Sequence, residues 1–431
     1  MIYHLFQALK GYDIPGQGLM NYLTFRAMMA SVVSVLFSLL VGKRIIRWLK
    51  HKQIGETVRD LGLSGESNKK DTPTMGGIII LMGILAGVLL FCDLTNVYVQ
   101  LMILSTVWCG ALGFADDYIK VFKHDKSGLS EKAKLIGQVV LGFIIGLAVW
   151  MSDDIVVREK VASEISVRNE RTVDSEPLVT TSAYQEEDVV KSTKTTIPFV
   201  KKHEFDYKWL SPFKGAMGWY TKWAIYVLMI VLVITACSNG TNLTDGLDGL
   251  AAGTSAIVGV IIGILAWLSG NLIESNYLNI MYIPGTGEIA IFMSAFGGAL
   301  IGFLWYNTSP AQVFMGDTGS LAIGGVIGVA AVLLRKELLL PLLCGIFFVE
   351  SLSVLLQRMY FKATKKRNGG QGVRIWSMAP LHHHFQEKKG GEGPVLIPKP
   401  VPALDEQKIV VRFWIVGIIL AVATLALLKI R

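Results

Sequence analysis

The chain has 431 residues, 52% of them hydrophobic and only 17% charged, with a mean hydropathy of +0.49. That balance excludes an ordinary soluble globular protein. The net charge of +8 is no nucleic-acid signal here, because basic residues beside apolar runs fix orientation in a bilayer.

The polar N-terminal stretch 1–21 has no basic region leading an apolar core, so no cleavable signal is expected. About ten runs then have the length and apolarity of transmembrane helices: 22–46, 75–92, 97–115, 134–152, 219–237, 250–268, 288–306, 320–335, 338–358 and 409–428. The expected fold is an all-α polytopic membrane protein, one integrated domain over 1–431. Cys92, Cys109, Cys237 and Cys344 lie in or beside these runs without paired spacing, so neither disulfides nor a thiolate metal site is expected.

The third run ends in LGFADDYIK at 112–120, which brings Asp116, Asp117 and Lys120 to a membrane surface. Ionised groups at such a depth are costly and mark function more often than capping. The fourth run is followed by a large polar segment, 152–214, in which Val, Ile and Thr alternate with polar residues. It reads as a small β-rich insertion on the outer face, without a catalytic constellation. After the fifth run comes SNGTNLTDGLDG at 238–249, where Asn242, Asp245 and Asp248 recur every three residues and point to one side of a helical turn. After the seventh, FMGDTGS at 314–320 sets Asp317 between glycines at a helix start. That position suits phosphate only if a cation lies between the two anions, which makes Asp317 a Mg²⁺ ligand candidate. The eighth run is short and glycine-rich (Gly324, Gly325, Gly328), as close helix packing requires. The ninth holds Pro341, where a kink is expected, and Glu350, which should face the bundle interior. PLHHHFQ at 380–386 follows it; three successive histidines diverge too much to bind one Zn²⁺ and suit phosphate or sugar oxygens better.

The loops after odd-numbered runs carry most of the basic residues, among them Lys43, Arg44, Arg47, Lys69, Lys70, Lys123, Lys126, Lys365, Lys366 and Arg367. They are therefore expected in the cytoplasm, with both termini on the outer side. All the polar clusters fall on that one side, whereas unrelated helix caps would fall on both. Carboxylates and cations without thiols at a membrane surface point to Mg²⁺-assisted phosphate chemistry, with one water-soluble and one lipid substrate.

The stretches TPTMGG (72–77), FADDY (114–118), NLTDGLDG (242–249), FMGDTG (314–319) and APLHHHF (379–385) together resemble the phospho-N-acetylmuramoyl-pentapeptide-transferases, in the right order and over nearly the whole chain. The resemblance implies transfer of phospho-MurNAc-pentapeptide from UDP-MurNAc-pentapeptide to undecaprenyl phosphate, giving lipid I and UMP, in the bacterial cytoplasmic membrane. It also implies ten spans, a cytoplasm-facing site, Mg²⁺, a homodimer, and a lipid groove beside a bent ninth helix. The enlarged 152–214 segment departs from the short hairpin usual there.

On this reading Asp317 is the principal Mg²⁺ ligand with Asp117 assisting, and Asp116 deprotonates or orients the lipid phosphate. Lys70 (with Lys69 as its register alternative), Lys120 and Lys134 contact phosphates. Asn242, Asp245 and Asp248 hold the nucleotide or sugar, Phe314 stacks on uracil, and His382, His383 and His384 contact donor phosphates or sugar. The alternatives are a phospho-enzyme formed on Asp116 or Asp117, a related transferase using UDP-GlcNAc or UDP-GalNAc, and a transporter. A transporter would place its charges near the midplane between repeats, and no clear repeat is seen.

Overall fold

In the computed structural model the described residues are 1–429 except 10, 13–15, 53–71, 124, 126, 159–160, 164–180, 184–188, 199–203, 387–393, 399 and 401. A short helix α1 (Ile2–Ala8) precedes α2 (Leu23–Lys52), α3 (Gly77–Phe91), α4 (Val97–Phe122) and α5 (Glu131–Met151). After a β-rich segment come α6 (Gly215–Thr244), α7 (Leu250–Gly270), the short α8 (Leu272–Leu278), α9 (Gly287–Asn307) and α10 (Gly316–Leu333). The chain closes with α11 (Leu340–Leu343), α12 (Gly345–Arg367), α13 (Leu381–His384) and α14 (Glu406–Leu427).

Among the described residues eight helices are long and apolar enough to cross a membrane. A bent pair, Glu337–Leu343 with Gly345–Arg367, makes a ninth, and the 15-residue α3 fills the second expected position as a shorter apolar helix. The pair is bent by 79°. The break falls at Cys344, three residues past Pro341, because the proline sits at the start of α11, where its missing N–H costs nothing. Helices α2, α4, α6 and α12 outrun their expected ends, and in α4 and α6 the overrun carries site candidates. No helix breaker follows the apolar part of α4, so Asp116 and Asp117 lie on the helix itself rather than in a loop, and α6 likewise carries Asn242.

The glycine-rich α10 is the most buried membrane-length helix and forms the hub of the bundle. A Cβ on Gly324 would lie 2.3 Å from the Cys237 carbonyl oxygen, and one on Gly325 would lie 2.6 Å from Cys109 Sγ. Only glycine lets α6 and α4 approach α10 this closely. Glu350, as expected, is fully buried.

The segment after α5 forms three antiparallel pairs. β1 (Val157–Arg158) pairs with β4 (Val189–Val190), β2 (Val161–Ser163) with β3 (Thr181–Ala183), and β5 (Lys194–Thr196) with β6 (Glu204–Asp206). The last pair seals the α10–α11 turn. Thr196 N–H (2.9 Å) and Thr195 Oγ1 (3.0 Å) donate to the Arg335 carbonyl, Lys336 Nζ donates to Thr196 Oγ1 (2.8 Å), and Tyr207 OH donates to Glu337 Oε1 (3.1 Å). A parallel pair, β7 (Arg374–Trp376) with β8 (Val395–Ile397), lies at the opposite end, beyond α12.

Candidate active site

The ends of α4 and α6, the starts of α5, α7 and α10, and α13 meet at one end of the bundle. There the carboxylates of Asp116, Asp117 and Asp317 each offer an oxygen within 4.8 Å of the others. Asp116 and Asp117 come from successive positions of α4, about 100° apart around the helix, and so take different partners.

Asp117 faces the start of α10. Its Oδ1 accepts the Asp317 N–H at 3.1 Å, and its Oδ2 accepts the Thr318 N–H at 2.8 Å and the Thr318 hydroxyl at 2.6 Å. It therefore satisfies backbone donors that a helix N-terminus leaves open, as a side chain from a neighbouring helix rather than from the helix itself. The approach is tight, since a Cβ on Gly113 would lie 2.1 Å from the Asp317 carbonyl oxygen. On the other side, the Gly76 and Gly77 N–H groups donate to the carbonyls of Phe314 and Met315, both at 2.8 Å, and Phe314 N–H donates to the Pro73 carbonyl at 2.8 Å. The 72–77 and 314–319 stretches are thus two halves of one backbone junction.

Asp116 is completely buried and faces two ammonium groups. Lys120 Nζ contacts its Oδ2 and lies 3.2 Å from Asp317 Oδ2. Lys134 Nζ lies 2.9 Å from Asp116 Oδ1 and 2.6 Å from Asp317 Oδ2. The Leu129 N–H also donates to Asp116 Oδ1, at 2.7 Å. Asn242 Nδ2 donates to Asp317 Oδ1 at 2.7 Å and to Ser320 Oγ at 2.9 Å. The described basic candidates Lys120 and Lys134 and the amide of Asn242 thus converge on Asp317. Lys69 and Lys70 lie outside the described residues.

The remaining candidates surround this cluster. Asp245 ends α6, half-buried, on a turn that reaches the surface at Gly246. Asp248 is buried; its Oδ2 accepts the Ala311 N–H at 3.1 Å, and its own N–H donates to Glu406 Oε1 at 2.8 Å. Phe314 is half-buried beside Gly316. Of the three histidines, His382 and His384 are buried and His383 is half-buried. His384 Nδ1 accepts the Ser377 N–H at 3.3 Å, and His383 Nδ1 is 2.7 Å from Gln386 Oε1. Sequence reasoning missed Thr318, Ser320 and the Gln138–Asn239 amide pair (2.9 Å). Thr318 stood inside a quoted motif, next to Asp317, but nothing in the order of residues says that its hydroxyl faces a helix two hundred positions earlier.

Beside the cluster an apolar groove of about 860 Å³ runs between α5, α6 and the α11–α12 bend, lined among others by Leu135, Leu232, Leu243, Pro341, Phe348 and Leu355. Leu135 and Leu243 are the chain neighbours of Lys134 and Asn242, so the two helices that wall the groove, α5 and α6, also carry groups that hold Asp317.

A polytopic helical bundle with an aspartate–lysine cluster on helices that also wall an apolar groove is an arrangement that suits a membrane transferase, and the sequence comparisons give that class. The model of Glycosyl transferase family 4 matches residues 190–335, and phospho-N-acetylmuramoyl-pentapeptide-transferase signature 1 matches 69–81. Relatives of that name from Parabacteroides distasonis, Flavobacterium psychrophilum and Porphyromonas gingivalis are 53%, 51% and 50% identical, each over the full length of both chains. The chain belongs to the phospho-N-acetylmuramoyl-pentapeptide-transferase family.

Proposed function

We propose that this protein transfers phospho-MurNAc-pentapeptide from UDP-MurNAc-pentapeptide to undecaprenyl phosphate, forming lipid I and UMP, with its site facing the cytoplasm. The observation that carries the reading is an apolar groove walled by α5 and α6, the helices that bring Lys134 and Asn242 to the Asp116–Asp317–Lys120 cluster. It suits an isoprenoid chain lying in the groove with its phosphate beside two ammonium groups. Full-length similarity to relatives of that name supports the donor assignment.

In the reaction an oxygen of the carrier phosphate forms a bond to the donor phosphorus that carries the sugar. The bond from that phosphorus to the UMP oxygen breaks, and UMP leaves with the electron pair. A phosphomonoester has a second pKa near 6, so the nucleophile is largely dianionic at neutral pH and needs little base assistance. The main barrier is the approach of one anion to another, which fixed positive charge lowers. Lys120 and Lys134 supply that charge, and Asp116 holds both ammonium groups in place and so orients the carrier phosphate. Asp116 is wholly buried and both its oxygens face lysine ammonium groups, which favours direct transfer over a phospho-enzyme.

Three carboxylates with oxygens this close, and no thiol or imidazole among them, fit a hard cation such as Mg²⁺. Asp317 would be its principal ligand. Asp117 would assist through lone pairs left over from its bonds to α10. When bound, the ion supplies Lewis-acid stabilisation of the diphosphate. Asn242 positions Asp317, while Asp245, Phe314 and His383 form the nucleotide and sugar side.

The test is UMP release by purified protein given both substrates and Mg²⁺. Release should depend on the lipid, stop with a chelator and return with added Mg²⁺. Asp317→Asn should lower kcat by about 10²–10³. Release that is indifferent to the lipid or to chelation would overturn the reading.

A further inference from the structure

Glu350 and His382 are both fully buried, and the phosphate chemistry above uses neither. Glu350 lies on α12 and His382 opens α13, 32 residues further along the chain. The His382 N–H donates to Glu350 Oε1 at 3.1 Å, and His382 Nδ1 lies 3.2 Å from Oε2. One carboxylate thus holds the backbone of His382 by a hydrogen bond and lies against its ring, whose Nδ1 makes no hydrogen bond among the described residues. The far edge of the ring abuts another element: a Cβ on Gly246 would lie 2.1 Å from His382 Nε2. Gly246 follows Asp245 in the turn between α6 and α7, and Nε2 has no hydrogen-bond partner among the described residues.

A buried carboxylate is costly unless hydrogen bonds or an opposite charge compensate it, so one kept in an apolar helix marks a specific contact. Here it fixes where an imidazole presses on a surface turn. The turn is held at its other points by Glu406 on the Asp248 N–H, by the Ala311 N–H on the Asp248 carboxylate, and by Asn307 Oδ1 on the Gly249 N–H at 3.0 Å. Its Leu247 packs with Leu250, Ile409 and Val410 against Phe385, just beyond α13. These contacts act at or after Leu247, while the Asp245 and Gly246 N–H groups bond back to the carbonyls of Asn242 (3.3 Å) and Thr244 (2.9 Å) within the turn; from α13 the His382 ring meets the turn at Gly246, next to Asp245.

We infer that Glu350 and His382 form a positioning bracket: Glu350 holds His382, and the His382 ring sets the height of the turn that presents Asp245 to the donor. The three histidines thereby divide their work. His382 is a positioning residue, and His383, whose ring lies 4.2 Å from that of His382 at a tilt of 59°, is the one of the three that is not buried and faces the donor. This assignment rests on the reading of Asn242–Asp248 as the nucleotide and sugar side.

The test measures the affinity of UDP-MurNAc-pentapeptide by calorimetry, and the KM of each substrate, for wild type, Glu350→Ala, Glu350→Gln and His382→Asn. Glu350→Ala removes the acceptor of the His382 N–H and the carboxylate beside its ring, and should weaken donor binding by about tenfold or more, with the KM of the lipid carrier within about twofold of wild type. Glu350→Gln keeps an acceptor for the His382 N–H and should stay within about threefold of wild type in donor affinity. His382→Asn keeps a side-chain donor toward Glu350 but withdraws the ring from Gly246. It should reproduce the donor-selective loss, and it decides the matter if Glu350→Ala does not fold. Wild-type donor affinity in a folded Glu350→Ala or His382→Asn protein would overturn the bracket, as would equal losses for donor and carrier. Failure of the functional reading looks different: the wild-type protein itself would neither bind the donor nor release UMP.

Discussion

Thr318 shows how a site can depend on a residue with no chemistry of its own. Its hydroxyl and N–H both donate to Asp117 Oδ2, locking the start of α10 against α4. Thr318→Val keeps the shape and the backbone bond but removes the 2.6 Å hydroxyl contact. The expected cost is about 1 kcal/mol of stability, from one lost hydrogen bond to a charged group partly offset by the bond that remains. A melting curve in detergent checks the stability, and UMP release should fall because Asp317 adjoins the loosened contact. The sequence made the carboxylates legible, since Asp116, Asp117 and Asp317 stand out against apolar surroundings. It did not separate their jobs. One of the α4 aspartates braces a helix terminus and the other holds two lysines, a difference set by which neighbour each side chain meets around the helix. Asp248 stood out equally in the sequence, yet its carboxylate accepts a backbone N–H from the α9–α10 loop, and that bond depends on a fold the motif does not display.

At the level of helices, the crossing of α4 over α10 decides whether the three carboxylates meet. Gly113→Ala puts a methyl group 2.1 Å from the Asp317 carbonyl oxygen, so the helices must separate. We expect about 1–3 kcal/mol of destabilisation, together with a loss of UMP release larger than the loss of folded protein, because Asp317 moves with the start of α10. Size-exclusion profiles beside turnover separate the two effects. The ten apolar segments were legible because apolar length is a strong signal. Their ends were less so. Hydropathy falls where Asp116, Asp117 and Asn242 begin, but the backbone stays helical past them, since polar residues with partners do not stop a helix. The bend was half legible: Pro341 announced it, and the break itself fell at Cys344, on the far side of the turn the proline starts.

Across the whole molecule the two ends of the bundle do separate work. One end holds every described site candidate; the other is closed by the β-rich segment. Replacing 159–188 with a short Gly/Ser link should leave turnover near wild type, because β1 and β4 pair antiparallel and bring 158 and 189 together. Extending the replacement through 192–210 strips Thr195, Thr196 and Tyr207 from the buried Arg335, Lys336 and Glu337. That should lower the melting temperature while leaving the KM values of the surviving protein unchanged. The alternation of Val, Ile and Thr foretold strands here, but which of them cap charged residues of another loop was not legible, because those contacts join positions more than a hundred residues apart.

The groove at the α11–α12 bend has a kinetic consequence. Its walls include Leu232, Phe348 and Leu355, which are largely exposed on the outer surface of the bundle, so it opens sideways into the bilayer rather than toward water. A substrate entering by that route is met by diffusion in two dimensions, and the concentration that matters is its mole fraction among the surrounding amphiphiles. Turnover should therefore fall when inert detergent or phospholipid is added at constant bulk amounts of both substrates, and it should recover when the lipid-to-detergent ratio is restored. The water-soluble donor should show no such surface dilution, so a single titration distinguishes the doors through which the two substrates arrive.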